Sequence, residues 1–193
     1  MNQGHRELCA SEDWFGYLRD ELVPWMLGER NLGERALEIG PGPGRSTDLL
    51  RSRSASLTAV EPDPAAAAAL AGRFVGTNVV VLEADASDLP FDDATFTGAV
   101  AMTMLHHVPI DAAQDALLAE ACRVIRPGGW FVGVDSLDDP GFREFHAGDV
   151  CLPVDPDALE PRLRAAGFTE IQVERGDGTF RFAARRAKEM TRR

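Results

Sequence analysis

Short apolar runs recur along the first 135 residues of the chain, and the stretches between them carry the start and stop signals of helices. "ALEI" spans 36–39, "LTAV" 57–60 and "NVVVLEA" 78–84; a fourth run covers Phe96 to Ala101, and "WFVGVD" ends at Asp135. Ser46 to Arg53 reads as a helix between the first two. Asp63-Pro64 supplies an N-cap and a first-turn proline for an alanine-rich helix to about Phe74. Asp111 opens another, which "RPGG" at 126–129 stops near Ile125. Runs this short, with little polar alternation, suit strands buried on both faces. Strand and helix in regular succession predict a parallel sheet of the α/β class.

The last forty residues depart from that rhythm. Asp155-Pro156 starts a helix over "DALEPRLRAAG", after which "FTEIQVER" and "TFRFAAR" flank Gly176-Asp177-Gly178. A connection of that length cannot hold a crossover, so the two strands form an antiparallel hairpin. At the other end, Ser11 caps a helix running to Leu27, with Trp14, Leu18, Leu22 and Met26 as one apolar stripe and Pro24 bending its last turn. A length of 193 residues and 45% hydrophobic content predict one domain, 1–193, with a continuous core. Its expected parts are a helical segment 1–30, a core 31–184 and a basic tail 185–193 holding Arg185, Arg186, Lys188, Arg192 and Arg193.

Charge and cysteine usage narrow the partners. A formal charge of -11 argues against a broad nucleic-acid or anionic-membrane surface, since both are held by clustered Lys and Arg. Cys9, Cys122 and Cys151 are odd in number and lack metal-ligand spacing, which suits a reducing cytoplasm. The expected partner is a small molecule, with the protein a monomer or homodimer.

The glycine loop after the first strand, "ALEIGPGPGRST", lies where open α/β sheets bind ligands, beyond the carboxyl ends of the strands. A dinucleotide would use G-x-G-x-x-G with its pyrophosphate on the helix N-terminus. Here the third glycine is Gly44 and position 45 is Arg45, Pro41 and Pro43 remove two backbone donors, and Glu38 sets a carboxylate beside the loop. The loop is suited to a ligand without phosphates.

The pattern E-x-G-x-G-x-G resembles the signature of class I S-adenosylmethionine-dependent methyltransferases. Their cofactor carries an ammonium, a sulfonium, a ribose and an adenine but no phosphate. The resemblance covers about residues 36 to 184 and implies a Rossmann-like, seven-stranded, mostly parallel sheet with helices on both faces and a C-terminal antiparallel hairpin. It implies that Gly40, Gly42 and Gly44 let the backbone pass beside the methionine and ribose, with Glu38 organising the loop or touching ligand. Glu61, in "VEPDP", matches the acid that accepts from both ribose hydroxyls; Asp85, in "EADA", matches the acid that receives the adenine amino group, with the Ala86 amide toward the ring. Pro41, Pro62 and Met102 complete the expected cofactor-binding set. S-adenosylhomocysteine would be the product, and the segment 1–30 a lid. One departure is Phe96-Thr97, where the family often has Phe-Asp.

The acceptor is addressed by "AMTMLHHVP" at 101–109. It lacks the Asn/Asp-Pro-Pro-Tyr/Phe sequence of enzymes that methylate adenine or glutamine amines, and "LHHV" resembles small-molecule methyltransferases related to those of ubiquinone and menaquinone synthesis. His106 and His107 are the candidate catalytic residues: adjacent residues point apart, and His106 is expected to reach the acceptor while His107 packs. His146 is a further candidate. Asp135 ends the fifth strand without an acidic cluster around it, so no metal is expected. The alternative is a non-catalytic protein that binds S-adenosylmethionine, since donor residues do not define an acceptor.

Overall fold

The seven apolar segments pair into one sheet. They are β1 (Arg35–Ile39), β2 (Ser56–Glu61), β3 (Val79–Glu83), β4 (Phe96–Met102), β5 (Ile125–Ser136), β6 (Phe168–Arg175) and β7 (Thr179–Arg186). Across the sheet the order is β3-β2-β1-β4-β5-β7-β6. The first five strands are mutually parallel, and β7 is inserted antiparallel between β5 and β6. This is a computed structural model describing residues 2–188.

The helices are α1 (Gln3–Ala10), α2 (Glu12–Tyr17), α3 (Val23–Leu27), α4 (Arg45–Leu50), α5 (Pro64–Arg73), α6 (Asp111–Val124), α7 (Pro140–Phe145) and α8 (Pro156–Ala165). Two-residue alternation within each strand divides the core into two layers. Ala36, Val100, Met102, Val132 and Val134 face one side, under α3, α4 and α5; Leu37, Ala99, Ala101, Phe131 and Phe182 face the other, under α6 and α8. A sheet covered on both faces explains why its strands read as apolar runs. Among the described residues no helix is long and apolar enough to cross a membrane.

Three local differences from the sequence expectations stand out. Ser11 does cap a helix, its hydroxyl accepting from the Trp14 amide at 3.1 Å, but α1 precedes it. The helix that follows is not regular to Leu27: a wide π-type turn over Leu18–Leu22 intervenes, and the chain then continues through Pro24 as α3. Proline lacks an N–H and crowds the preceding turn, and the wider turn absorbs both effects. "RPGG" is not a turn before β5 but a bulge within it, since Arg126 to Gly129 stand opposite the single residue Thr97. Thr97 in turn accepts from the Arg35 amide at 2.9 Å and donates to the Leu32 carbonyl at 2.6 Å, so its hydroxyl ties the entrance of β1 to β4.

The expected basic tail begins inside the sheet. Arg185 and Arg186 close β7 and donate to the carbonyls of Gly128 and of Arg123 and Ile125, while residues 189–193 lie outside the described residues. A second bulge sits in β6, where φ at Glu170 is +48° and one extra residue stands against β7.

Candidate functional site

β1 delivers the glycine loop to the carboxyl edge of the sheet, where φ is 66° at Gly40, 51° at Gly42 and 80° at Gly44. Gly42 and Gly44 serve different ends. A Cβ on Gly44 would lie 2.3 Å from Leu70 Cδ1, so this glycine seats the loop against α5 and has a packing role rather than the ligand-facing one expected. A Cβ on Gly42 would meet nothing within 4 Å and would project into open space. The Gly40 amide donates to Val60 O at 3.0 Å, Gly42 to Glu61 Oε2 at 3.3 Å, and Gly44 to Pro41 O at 2.9 Å. With Pro41 and Pro43 lacking N–H groups, residues 40–44 offer no amide to a pyrophosphate.

Two carboxylates flank the loop. Glu38 is 1% exposed and accepts from the Ser46 hydroxyl at 2.5 Å, while its Oε2 is buried without a partner. Burial lifts this carboxyl to about 7. Glu61 ends β2, and its Oε1 also accepts from the Asp63 amide at 3.2 Å. Burial raises its pKa, and each oxygen keeps a further lone pair.

Beyond the loop lies a cavity of about 760 Å³, within the range of small-molecule sites. Gly40, Pro41, Gly42, Glu61, Pro62 and Met102 line it, whereas Glu38, Gly44, Asp85 and Ala86 do not. Asp85 follows β3 in an exposed loop, where Oδ1 accepts from the Ser87 amide and hydroxyl at 2.8 Å each. The N-terminal segment forms the opposite wall through His5, Cys9, Trp14 and Leu18. Arg45 fastens it to the loop, donating to Ala10 O at 2.6 Å and Glu12 Oε1 at 2.7 Å. Burial pushes the Cys9 thiol up to about 11.

The histidine pair is oriented opposite to the expectation. β4 leads into Thr103, a β-branched residue at φ +46° whose amide donates to Val134 O at 2.7 Å. Such strain persists only where the surroundings impose it. The turn that follows sends His106 inward, where it is 2% exposed with Nδ1 2.5 Å from Asp135 Oδ1, and its amide donates to Asp135 Oδ2 at 3.2 Å. His107, not His106, lines the cavity, with Nδ1 3.0 Å from Val150 O. Asp135, on the neighbouring strand and fully buried, decides the orientation. Burial drives the His107 pKa down to about 4, with the His106 ring adding to the effect.

Sequence reasoning missed Gln114, His5 and the placement of His146. Gln114 donates to Leu105 O and Leu152 O at 3.1 Å each and accepts from Arg162 at 3.0 Å, pinning the histidine turn to the segment after α7. His5 and His146 stand beside His107. Burial lowers both of their pKa values. A glutamine on the inner face of a helix was one legible signal, for such an amide must find partners.

A family model described as a methyltransferase domain matches residues 37–133, half of the chain. The chain belongs to this methyltransferase family. Methyltransferases similar to it include the O-methyltransferase cnsE of Penicillium expansum, 33% identical over 154 residues, covering 73% of this chain and 54% of that protein. A fatty-acid O-methyltransferase of Mycolicibacterium smegmatis is 31% identical over 106 residues, covering 54% of this chain and 38% of that one. The chain spans about half the length of the curated relatives it matches. Among solved structures, an S-adenosylmethionine-dependent methyltransferase from Aquifex aeolicus is similar at a TM-score of 0.67 and 18% identity, over 91% of this chain and 98% of that one. Phosphoethanolamine N-methyltransferase 2 of Haemonchus contortus, in complex with phosphomonomethylethanolamine and S-adenosylhomocysteine, gives a TM-score of 0.70 at 16% identity, over 86% and 51%. These structures share the methyltransferase fold. S-adenosylmethionine fits the loop: spent amides suit a ligand without phosphates, Gly42 leaves an open cradle, and Glu61 presents acceptor lone pairs at the cavity wall.

Proposed function

We propose that the chain transfers the methyl group of S-adenosylmethionine to a small-molecule acceptor, in the manner of the ubiquinone- and menaquinone-type enzymes that "LHHV" resembles. The supporting observation is the cavity itself, one space walled by Gly42 and Glu61 together with His107 and Val150. When bound, S-adenosylmethionine supplies an already activated methyl carbon. Glu61 accepts from the two ribose hydroxyls, Gly40 to Gly42 pass beside the methionine, and Asp85 with the Ala86 amide takes the adenine edge after a movement of their loop. Met102, Thr103 and Met104 form the wall between donor and acceptor.

Because the electrophile is activated, positioning and the exclusion of water supply much of the acceleration. α1 is the part of the N-terminal segment that acts as a lid, and the acceptor lies between it and His107. Trp14, Leu18, Val108 and Val150 give the cavity apolar lining, which selects a largely apolar acceptor. The protein acts in the cytoplasm, in keeping with three free cysteines, as a monomer or homodimer.

The test is release of S-adenosylhomocysteine over a panel of hydroxylated, carboxylated and amine metabolites. One chemical class should give product equal to the S-adenosylhomocysteine formed. Calorimetry should show Glu61→Ala weakening S-adenosylmethionine binding by on the order of 3 kcal/mol, about 150-fold, for two charge-assisted hydrogen bonds. No turnover on any class, together with wild-type affinity in Glu61→Ala, overturns the reading.

A further inference from the structure

The whole chain contains four histidines, and all four rings meet in one cluster, from which His5 and His107 line the cavity. His5 comes from α1, His106 and His107 from the turn after β4, and His146 from the C-terminal cap of α7. Ring centroids stand 4.6 Å apart for His5 and His146, 5.0 Å for His5 and His107, and 5.5 Å for His107 and His146. One ring nitrogen from each of these three lies within 4.8 Å of the other two.

Each of the three rings has its Nδ1 against an oxygen. His5 Nδ1 is 2.9 Å from Asp149 Oδ2, His107 Nδ1 is 3.0 Å from Val150 O, and His146 Nδ1 is 2.8 Å from Phe142 O. A carbonyl or carboxylate oxygen only accepts, so Nδ1 carries the single proton of a neutral imidazole and Nε2 carries the lone pair. The Nε2 of His146 is buried with no partner, and so is that of His106, whose Nδ1 rests on Asp135. A buried acceptor without a donor is costly, and a cation held between His146 and its neighbours His5 and His107 would satisfy the His146 nitrogen.

We propose that His5, His107 and His146 bind one divalent transition-metal ion of the zinc class through Nε2, leaving a fourth position open to the cavity. Neutral imidazole nitrogens select this class over magnesium or calcium, which take oxygen. Around a tetrahedral ion with bonds of 2.0 to 2.1 Å the ligands lie roughly 3.4 Å apart, so modest ring rotations close the site. The fixed Nδ1 partners are those expected behind metal-bound histidines, Asp149 with His5 above all. His106 backs the group, its ring 4.2 Å from His107 and 4.8 Å from His146. Since His5 and His107 line the cavity, the open position takes an oxygen of the acceptor, a hydroxyl, carboxylate or carbonyl. That role rests on the methyl-transfer reading; metal binding does not.

Metal-free full-length protein is titrated with Zn²⁺, and with Co²⁺ as the visible-light probe, without donor or acceptor. One equivalent should bind per chain, Co²⁺ giving the intense visible bands of a four-coordinate site. His5→Ala, His107→Ala and His146→Ala should each weaken binding at least 100-fold, and Asp149→Asn 10- to 100-fold. If a variant fails to fold, histidine side-chain NMR of the wild type decides: Zn²⁺ should shift the Nε2 resonances of three histidines. No stoichiometric uptake, or unchanged affinity in folded variants, overturns the site. Zinc uptake in a protein that does not bind S-adenosylmethionine would leave the metal site standing and remove the methyltransferase reading.

Discussion

Glu38 places a carboxyl where solvent cannot reach it, and the consequence is a titration inside the fold. Its pKa stands at about 7 against an ordinary 4.5. Between those values the native state holds a proton that the unfolded chain has released. Stability therefore falls as pH rises through that window, by roughly 3 kcal/mol for this group, and the loss is complete above the folded pKa. Glu38→Gln should remove that slope, so urea denaturation at several pH values should show wild type and variant diverging from pH 5 to 8. Parallel profiles would show that Glu38 is not the group responsible. The two glycines separate fold from ligand in the same way. Gly44→Ala, with its methyl against Leu70, should lose 2 to 4 kcal/mol by the roughly expected cost of strain plus overpacking. Gly42→Ala should melt within a few degrees of wild type yet bind S-adenosylmethionine at least about tenfold more weakly, since its methyl enters the cradle. Equal melting temperatures for the two variants would contradict this division. The loop, Glu61 and the missing pyrophosphate donors were legible because each is local in sequence. The direction of His106 was not: Asp135, 29 residues on, decides it through a strand neighbour that no local pattern names.

The N-terminal elements divide into a part that covers and a part that supports. Within α1 only His5 is buried, whereas Leu18, Leu22, Val23, Met26 and Leu27 belong to the core layer under the sheet. Removing residues 1–11 should leave a folded protein with an open cavity, slow turnover and wild-type secondary structure by circular dichroism. Removing 1–27 strips five buried apolar side chains, at roughly 2 kcal/mol or more each, and should not leave a folded chain. A folded, active 28–193 fragment would refute that division. The stripe from Leu18 to Met26 was plain in the sequence because core burial imposes a spacing. α1 was not, since "QGHRELCA" has no such stripe; aromatic rings and the Asp149 carboxylate hold it by polar and edge contacts. α7 was missed likewise, though Asp139-Pro140 is the same cap-and-proline signal read correctly at Asp63 and Asp155.

For the whole molecule, ligand occupancy and stability are linked by mass action. At 100 times its dissociation constant S-adenosylmethionine stabilises the native state by about 2.7 kcal/mol, which for this size raises the melting temperature by roughly 5 to 10 °C. NAD at the same concentration should leave the melt unmoved, and an equal shift by NAD would mean the glycine loop accepts a pyrophosphate after all. Alternation of strands and helices announced the parallel sheet, and the short Gly176–Gly178 connection announced the hairpin. The insertion of β7 between β5 and β6 is a long-range pairing that no local pattern in the sequence names. That insertion leaves β6 as an outer rim, and the bulge at Glu170 lies on it. The extra residue interrupts the regular row of backbone donors and acceptors and twists the strand, while Glu170, Gln172 and Glu174 stand exposed along it. A second molecule thus finds no flat template on which to extend the sheet, and crowded solutions of this acidic protein are guarded at that rim against edge-to-edge aggregation.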